Sequence, residues 1–212
     1  MPWIFVIDFY VEKSNIIMIY EIAHILRDHL GWLWLLIERL NAWLFSMRFG
    51  RRLRSFFFSE IPEGYKFVSL RDVPTEKLVA FFEHQPEEAF TYFRPHAFDA
   101  RSIQRLQGNR SFLAYVLIDP SNGKIAGYCF NRCFFHGQGF RGRMVDIDYR
   151  GKGLGTAMNK LLNEVGFGIG LRLFETVSKD NVASYRSALS ASGVKVVKEM
   201  PNNELYLEII HD

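Results

Sequence analysis

The chain has 212 residues, of which 49% are hydrophobic and 23% are charged, and its formal net charge is +3. This length and composition predict one globular domain with an extension, and they exclude a disordered tail protein. The net charge is too small to indicate a nucleic-acid partner.

Residues 1–58 differ in composition from the rest of the chain. Tryptophan, leucine and phenylalanine crowd into the stretch "GWLWLLIERLNAWLFSMRFGRRLRSFFF", in which Arg48, Arg51, Arg52 and Arg54 cluster. Charged residues interrupt its apolar runs, whereas a membrane-spanning helix needs about 20 predominantly apolar residues. The first residues, "MPWIFVIDFYVEK", lack the basic start of a secretory signal. We therefore expect residues 1–58 to form a helical extension of a cytoplasmic protein.

Two interpretations of this extension stay open. Residues 30–58 can lie on the inner face of a membrane, because aromatic and aliphatic side chains enter the headgroup boundary while arginines attract anionic lipid. Alternatively, the extension packs on its own domain or on a second copy of the chain in a homodimer. The apolar content fits both interpretations, and the clustered arginines favour the membrane.

A domain of alternating strands and helices is predicted over residues 59–212, and the turn residues Pro62 and Gly64 mark its start. The stretch "YKFVSL" predicts a strand, and "PTEKLVAFFEHQ" predicts a helix with Pro74 in its first turn. A second helix is predicted for "DARSIQRLQGN", with Asp99 as its cap.

Three strands in a meander follow next along the chain. The segments "SFLAYVLID" and "GKIAGYCFNRCFF" flank Asn122-Gly123, a strong hairpin signal, and "FRGRMVDID" supplies the third strand. Cys129 and Cys133 are the only cysteines of the chain. They lie four residues apart in one predicted strand and cannot readily bridge, which favours a reducing compartment.

The stretch "VDIDYRGKGLGT" at residues 145–156 joins the third strand to the helix "GLGTAMNKLLNEVGFGI". A helix start offers unpaired backbone N–H groups and the positive end of the helix dipole. Glycines at 151, 153 and 155 leave room for a bulky anion to reach those groups. Arg150 and Lys152 add positive charge, so we expect a ligand that carries phosphates.

Two nucleotide-binding motifs fail at this turn. The dinucleotide fingerprint requires a glycine where Thr156 stands. That fingerprint also belongs to an early strand-helix-strand unit, whereas this turn follows the three-stranded meander. The P-loop pattern requires serine or threonine after its lysine, but Gly153 follows Lys152.

The motif instead resembles the acetyl-CoA-binding motif R/Q-x-x-G-x-G/A of the GNAT superfamily of N-acyltransferases. Arg150, Gly153 and Gly155 are in register with it, and the strand "LRLFETVSK", the helix "NVASYRSALSAS" and a closing pair of strands follow in the family's order. The resemblance covers roughly residues 60–212. It implies an α/β fold with a mixed, mostly antiparallel sheet flanked by helices, and acetyl-CoA as co-substrate.

The resemblance also implies roles for individual residues. The pyrophosphate of CoA would lie against the N–H groups of residues 151–156, and the backbone of residues 145–147 would bind the pantetheine arm where the sheet splays. An asparagine that opens the next helix would contact the same arm. The implied cofactor-binding residues are Val145, Asp146, Ile147, Arg150, Gly151, Lys152, Gly153, Leu154, Gly155, Thr156 and Asn181.

The proton-transfer groups of the family are not matched. Many members carry a glutamate in the fourth strand, where this chain has Arg141-Gly142-Arg143, and a tyrosine where it has Leu189. Tyr185 lies one helical turn before Leu189 and is a candidate general acid, although core packing also explains it. His96, in the loop "TYFRPHAFD", is a candidate general base, although it can equally satisfy local hydrogen bonds.

Two functions remain after this comparison. The first is an N-acetyltransferase that acetylates a primary amine of a small molecule, such as an amino sugar or nucleotide sugar of surface-polysaccharide synthesis. The alternative is a catalytically degenerate domain that binds CoA and serves as a membrane-associated interaction module. The missing acid of the fourth strand keeps that alternative open.

Overall fold

The computed structural model describes residues 31–200 and 202–211 of the chain. Its strands are β1 Lys66–Ser69, β2 Phe112–Ile118, β3 Ile125–Cys133, β4 Gln138–Val145, β5 Arg172–Ser178, β6 Gly193–Met200 and β7 Glu204–Ile210. Its α-helices are α1 Gly31–Arg54, α2 Thr75–His84, α3 Ala100–Gly108, α4 Leu154–Gly168 and α5 Val182–Leu189. Short 3-10 segments span Leu70–Asp72, Glu87–Phe90 and Ile147–Tyr149.

The strands form one seven-stranded sheet in the order β1-β2-β3-β4-β5-β7-β6. Every neighbouring pair is antiparallel except β4 and β5, which are parallel. The predicted mixed, mostly antiparallel sheet is therefore confirmed, as is each strand and helix predicted from residue 65 onward. Parallel neighbours need a crossover connection, and α4 supplies it.

The β4–β5 pair separates soon after it begins. Its register comprises three residue pairs and ends at Phe140↔Phe174. At Gly139, an added Cβ would lie 2.9 Å from the side chain of Leu173, so a glycine is needed where the strands are closest. Beyond Phe140 the two strands diverge, and a cleft opens between them.

The cap and turn residues predicted from the sequence lie where they were expected, except for Pro74. The Asp99 carboxylate accepts a hydrogen bond from Ser102 N at 3.0 Å and caps α3. Gly123 adopts φ +70° in the β2–β3 turn, where the hairpin was predicted. Pro74 was predicted in the first turn of α2, but it precedes the helix as its N-cap residue.

Helix α1 contributes its inner face to the core. Phe45 and Phe49 are buried against Val165 and Ile169 at the end of α4. The Asn41 side chain donates to Cys133 O and accepts from Phe135 N, both at 3.0 Å, which fixes the helix on the end of β3. Packing on its own domain, one of the two interpretations of the extension, is thus observed for residues 31–54.

Three further expectations meet the structure in this region. Cys129 and Cys133 are both free and buried. Across residues 31–200 and 202–211, no helix has the length and apolar character needed to cross a membrane. The start of the extension, residues 1–30, lies outside the described residues, and the domain boundary at residues 58 and 59 stays a prediction.

Candidate active site

A cavity of about 710 Å³ lies where β4 and β5 diverge. The loop at residues 88–95, strands β4 and β5, the turn into α4 and the first half of α5 form its walls. The predicted cofactor-binding residues that line it are Val145, Arg150, Gly151, Gly153, Leu154, Gly155, Thr156 and Asn181.

The start of α4 forms one end of this cavity. Gly151 and Gly153 adopt φ values of +76° and +74°, and an added Cβ at either glycine would meet no atom within 4 Å. Such left-handed conformations strain other residues, so glycine is required at both positions. Both glycines line the cavity.

The first turn of α4 offers free hydrogen-bond donors to a ligand. The first hydrogen bond of the helix runs from Ala157 N to Gly153 O, and no side chain of the described residues caps the helix. The N–H groups of Leu154, Gly155 and Thr156 therefore remain free to bind an anion. The exposed side chain of Arg150 lies at the rim of the cavity and adds positive charge.

Gly155 serves a different purpose from the two glycines before it. An added Cβ would lie 3.2 Å from Ser187 Oγ, 3.8 Å from Val145 and 3.9 Å from Arg143. The bare backbone at this position brings α4 close to both α5 and β4. A side chain here would require Ser187 to move by a few tenths of an ångström.

The backbone of Val145 faces the cleft. Asp146 N donates to Ala126 O at 3.0 Å, and Val145 is paired with Gly127 in the β3–β4 register. Hydrogen-bonded and non-hydrogen-bonded pairs alternate along an antiparallel ladder, so the N–H and C=O of Val145 point away from β3. They remain available to an extended ligand that lies between β4 and β5.

The neighbouring residues Asp146 and Ile147 are engaged within the protein. The buried Asp146 carboxylate accepts from Gln85 Nε2 at 2.7 Å and from Asp148 N at 2.9 Å. Ile147 N donates to Gln85 Oε1 at 3.1 Å. Both residues were predicted to bind the cofactor through their backbone, but their N–H groups are already used, and neither lines the cavity.

Lys152 and Asn181 differ in the same respect. Lys152 was predicted beside the pyrophosphate, but its Nζ lies 4.7 Å above the ring of Tyr149, outside the cavity wall. Asn181 lines the cavity as predicted, and its Oδ1 accepts from Ser184 N at 3.1 Å, which caps α5. Of the two basic side chains of the motif, only Arg150 lies on the cavity.

A buried ion cluster on β4 and β5 forms part of the cavity wall. Arg141 Nε and Arg143 Nη1 both donate to Glu175 Oε2, at 2.7 and 3.2 Å. Arg141 also donates to Asn163 Oδ1, and Arg143 Nη2 donates to Ser184 O at 2.7 Å. Hydrogen bonds to Asn163 and Ser184 thus hold the two arginines in place, and both arginines bind the same oxygen of the Glu175 carboxylate.

The second oxygen of this carboxylate has no hydrogen-bond partner within the described part of the protein. This atom, Glu175 Oε1, is buried, and so is Arg141 Nη2, which also lacks a hydrogen-bond partner among the described residues. Burial raises the pKa of Glu175, but the charges of Arg141 and Arg143 outweigh that effect and hold the pKa below its ordinary value. The carboxylate is therefore ionised at neutral pH and can accept a hydrogen bond from a bound molecule.

Sequence reasoning missed Glu175 as a site residue. The family resemblance points to an acid on the fourth strand, where Arg141 and Arg143 stand. One signal was available, because two arginines that alternate with a glycine in a core strand need a buried counter-charge. Arg141 and Glu175 directly follow the last pair of the parallel β4–β5 register, Phe140 and Phe174, so the charge comes from the next strand.

His96 was a candidate general base, and it lies behind the cavity wall. Its Nδ1 donates to Ala97 O at 2.8 Å and its Nε2 accepts from the Tyr128 hydroxyl at 2.9 Å, amid the rings of Phe82 and Phe98. Desolvation by burial lowers the pKa of His96 to about 4, despite the hydrogen bond to Ala97. His96 is neutral at pH 7, and the structure does not bring it to the cavity.

Tyr185 was the candidate general acid, and it lies on the far face of α5. Ser184 and Ser187 line the cavity from this helix. Each residue advances about 100° around a helix, so Tyr185 points away from the sector that these two serines define. Among the described cavity-lining residues, neither candidate for proton transfer is present.

Comparisons with known proteins find a matching family profile and solved structures with a similar fold. The profile of the acetyltransferase (GNAT) family matches residues 71–189. A search of curated proteins found no significant match. The fold is similar to three solved structures, each under 25% identical to this chain.

The alignment with each of these three structures covers most of that structure's length. The GNAT domain of S. lividans PAT aligns with TM-score 0.57 and 16% identity, over 68% of this chain and 88% of that one. The structure of yncA from Salmonella typhimurium with acetyl-CoA gives 0.56 and 18%, over 70% and 94%. AAC(6')-Ib in complex with paromomycin and acetyl-CoA gives 0.53 and 15%, over 69% and 93%.

Proposed function

Because the chain belongs to the GNAT acetyltransferase family, an acyl-CoA-dependent family with acetyl-CoA as co-substrate, we propose that it acetylates a primary amine of a small molecule. The observation that carries this proposal is the glycine turn at the start of α4, which opens onto the cleft between β4 and β5. A backbone anion site beside an unpaired strand edge suits a ligand with a pyrophosphate and an extended arm.

The residues present fit acetyl-CoA. The N–H groups of Leu154, Gly155 and Thr156, with Arg150 at the rim, would hold the pyrophosphate, and the backbone of Val145 would orient the pantetheine arm. When bound, acetyl-CoA supplies an acetyl group activated as a thioester. The protein's part is then to position that group and to present an amine with a free lone pair.

We assign the presentation of the amine to Glu175 rather than to His96 or Tyr185. Its free Oε1 accepts a hydrogen bond from the acceptor nitrogen and thereby aims the lone pair into the cavity. The Glu175 carboxylate favours a bound ammonium group, whereas Arg141 and Arg143 disfavour it, and the two arginines outnumber the single carboxylate, so the cluster has a net positive charge. The cluster therefore favours the neutral, nucleophilic amine.

An amino sugar or a nucleotide sugar suits the acceptor side of the cavity. Tyr92, Phe93 and Phe130 offer aromatic surface to the apolar face of a sugar ring, while Glu88 and Arg94 offer polar partners to its substituents. Among proteins of this fold, the structure of AAC(6')-Ib contains paromomycin together with acetyl-CoA. A small amine acceptor attached to a ring is therefore the substrate class that we favour.

One observation supports a second function. Arginines stand on the fourth strand where many family members carry their glutamate, and a domain that only binds CoA would have no need of that acid. Such a domain would act as an interaction module. The two functions make opposite predictions for turnover and the same prediction for CoA binding.

Thiol release from acetyl-CoA with a panel of amines separates them. The panel contains amino sugars, nucleotide amino sugars, aminoglycosides and simple alkylamines. We expect at least one amino sugar to raise thiol release well above the rate without acceptor, and Gly153→Val to abolish that increase. Tight CoA binding in calorimetry without stimulated release by any amine would support the binding module instead.

A further inference from the structure

The outer face of α1 is apolar along most of its length. Five side chains, each more than half exposed, follow one another at intervals of three or four residues, which places them on one stripe of the helix. The stripe consists of Trp32, Leu36, Leu40, Trp43 and Met47. The inner face of the same helix is already filled by Phe45 and Phe49, so the stripe is not needed for the core.

The arginines of α1 divide between the two faces. Arg48 Nη1 donates to Phe135 O and Arg52 Nη1 donates to Ile169 O, both at 3.0 Å, so these two side chains hold the helix on the domain. Arg51 and Arg54 are exposed and follow Met47 by four and seven residues, which continues the stripe. The arginine cluster thus has two purposes, and packing explains only one of them.

The charge on the outer face is entirely positive. Exposed Arg39 flanks the stripe, and Arg51 and Arg54 end it. Glu38 is the only acidic residue in the sequence of α1, and its Oε1 lies 3.6 Å from Arg132 on the inner side. Any partner of this face must therefore offer an apolar layer bordered by negative charge.

We propose that the outer face of α1 binds the surface of a membrane that contains anionic lipid, with the helix lying parallel to the surface. Acyl chains accept the tryptophans, leucines and methionine, while lipid phosphates pair with Arg39, Arg51 and Arg54. A second copy of the chain is a poorer partner, since the same face carries no acid to neutralise these arginines. The inner contacts of α1 keep the helix on the domain, so the protein would attach from one side.

Flotation of the full chain with phosphatidylcholine vesicles, with and without phosphatidylserine, tests this proposal. We expect strong flotation with phosphatidylserine vesicles and weak flotation without that lipid. Each arginine near such a surface raises the affinity for the membrane roughly fivefold. Arg51→Gln combined with Arg54→Gln should therefore weaken membrane binding about 25-fold. Trp43→Glu should weaken it at least as much. Val196→Glu, at an exposed apolar position on β6, is the matched control and should bind like the unmodified protein.

Three outcomes would overturn the proposal. The full chain could stay at the bottom of the gradient with phosphatidylserine vesicles. It could float equally well after both α1 changes, which would place membrane binding elsewhere in the chain. It could also form a dimer that Trp43→Glu dissociates, without any flotation, which would make a second copy the occupant. Unchanged acetyl-CoA affinity of each variant in calorimetry would show that its domain is folded.

Discussion

The two ends of the cavity are built from different parts of the chain. The end assigned to CoA consists of backbone: two left-handed glycines, the first turn of α4 and the strand edge at Val145. The end assigned to the acceptor consists of side chains from separate elements, with Glu175 on β5 held by two arginines of β4 and facing an aromatic loop. A backbone site leaves a local motif in the sequence, whereas a side-chain site depends on how distant elements pair.

The largest effect is expected at the backbone end. Gly153→Val places a branched side chain at φ +74° and into the open space of the cavity, so acetyl-CoA affinity should fall by about 100-fold or more, on the order of 3 kcal/mol. Gly123→Val is the matched control, because Gly123 has φ +70° and equally open space but lies in the β2–β3 turn. Calorimetry with acetyl-CoA should show the loss in Gly153→Val only. Equal affinities of the two variants would contradict the assignment of the anion site.

The next effect concerns turnover at the side-chain end. Glu175→Gln keeps an oxygen for the two arginines but removes the charge that faces the acceptor, so kcat should fall about 100-fold while acetyl-CoA affinity changes little. Glu208→Gln, which removes another arginine-paired carboxylate on the neighbouring strand, is the control and should leave kcat unchanged. Glu175→Asp retains the charge and separates a catalytic loss from a folding defect. Normal kcat in both Glu175 variants would refute the role of this residue.

His96 should affect stability and leave turnover unchanged. The unfolded chain takes up a proton near pH 6.5, whereas the folded protein holds His96 neutral down to about pH 4. The unfolded state therefore binds more protons between these values, and the free energy of unfolding should decrease as the pH falls from 6.5 to 4, by at most about 3 kcal/mol. His96→Gln should flatten this part of the curve in denaturant titrations. A lost acidic limb in the pH profile of kcat would instead identify His96 as a base.

The smallest effect is expected at Arg150. Its exposed side chain adds charge at the rim, but the N–H groups of the first turn of α4 remain when it is removed. Arg150→Ala should therefore raise the KM for acetyl-CoA only about fivefold, and high salt should mask most of the difference. Lys152→Ala is the paired control, because Lys152 is directed towards Tyr149 and should barely change KM. A larger effect at Lys152 than at Arg150 would contradict the observed placement of the two side chains.

The parts of the structure that the sequence predicted are those with local causes. Asn122-Gly123 specifies its own turn, Asp99 caps the helix that follows it, and Gly151 and Gly153 mark a turn that few other residues can adopt. Glu175 was missed because its role depends on the register of two parallel strands, which a 15-residue helix separates in the sequence. The hydrogen bonds that occupy the carboxylate of Asp146 and the N–H group of Ile147 depend on Gln85, about sixty residues earlier.

The orientation of helix α1 in the extension could not be predicted from the sequence either. The sequence shows four arginines near the end of α1, but it does not show which side of the helix meets the domain. Once Phe45 and Phe49 are placed in the core, Arg48 and Arg52 fall on the inner side and Arg51 and Arg54 on the outer side. A helix that is apolar on both faces gives no sequence signal for which face is buried.

The most direct test of this division of the cavity is one calorimetric series with acetyl-CoA on the unmodified protein, Gly153→Val and Glu175→Gln. Glu175→Gln should bind acetyl-CoA within about threefold of the unmodified protein, because the CoA end does not depend on that carboxylate. Gly153→Val should bind acetyl-CoA about 100-fold more weakly or worse. If Gly153→Val bound acetyl-CoA normally, or if Glu175→Gln lost binding while remaining folded, the cavity would not divide into a CoA end and a separate acceptor end.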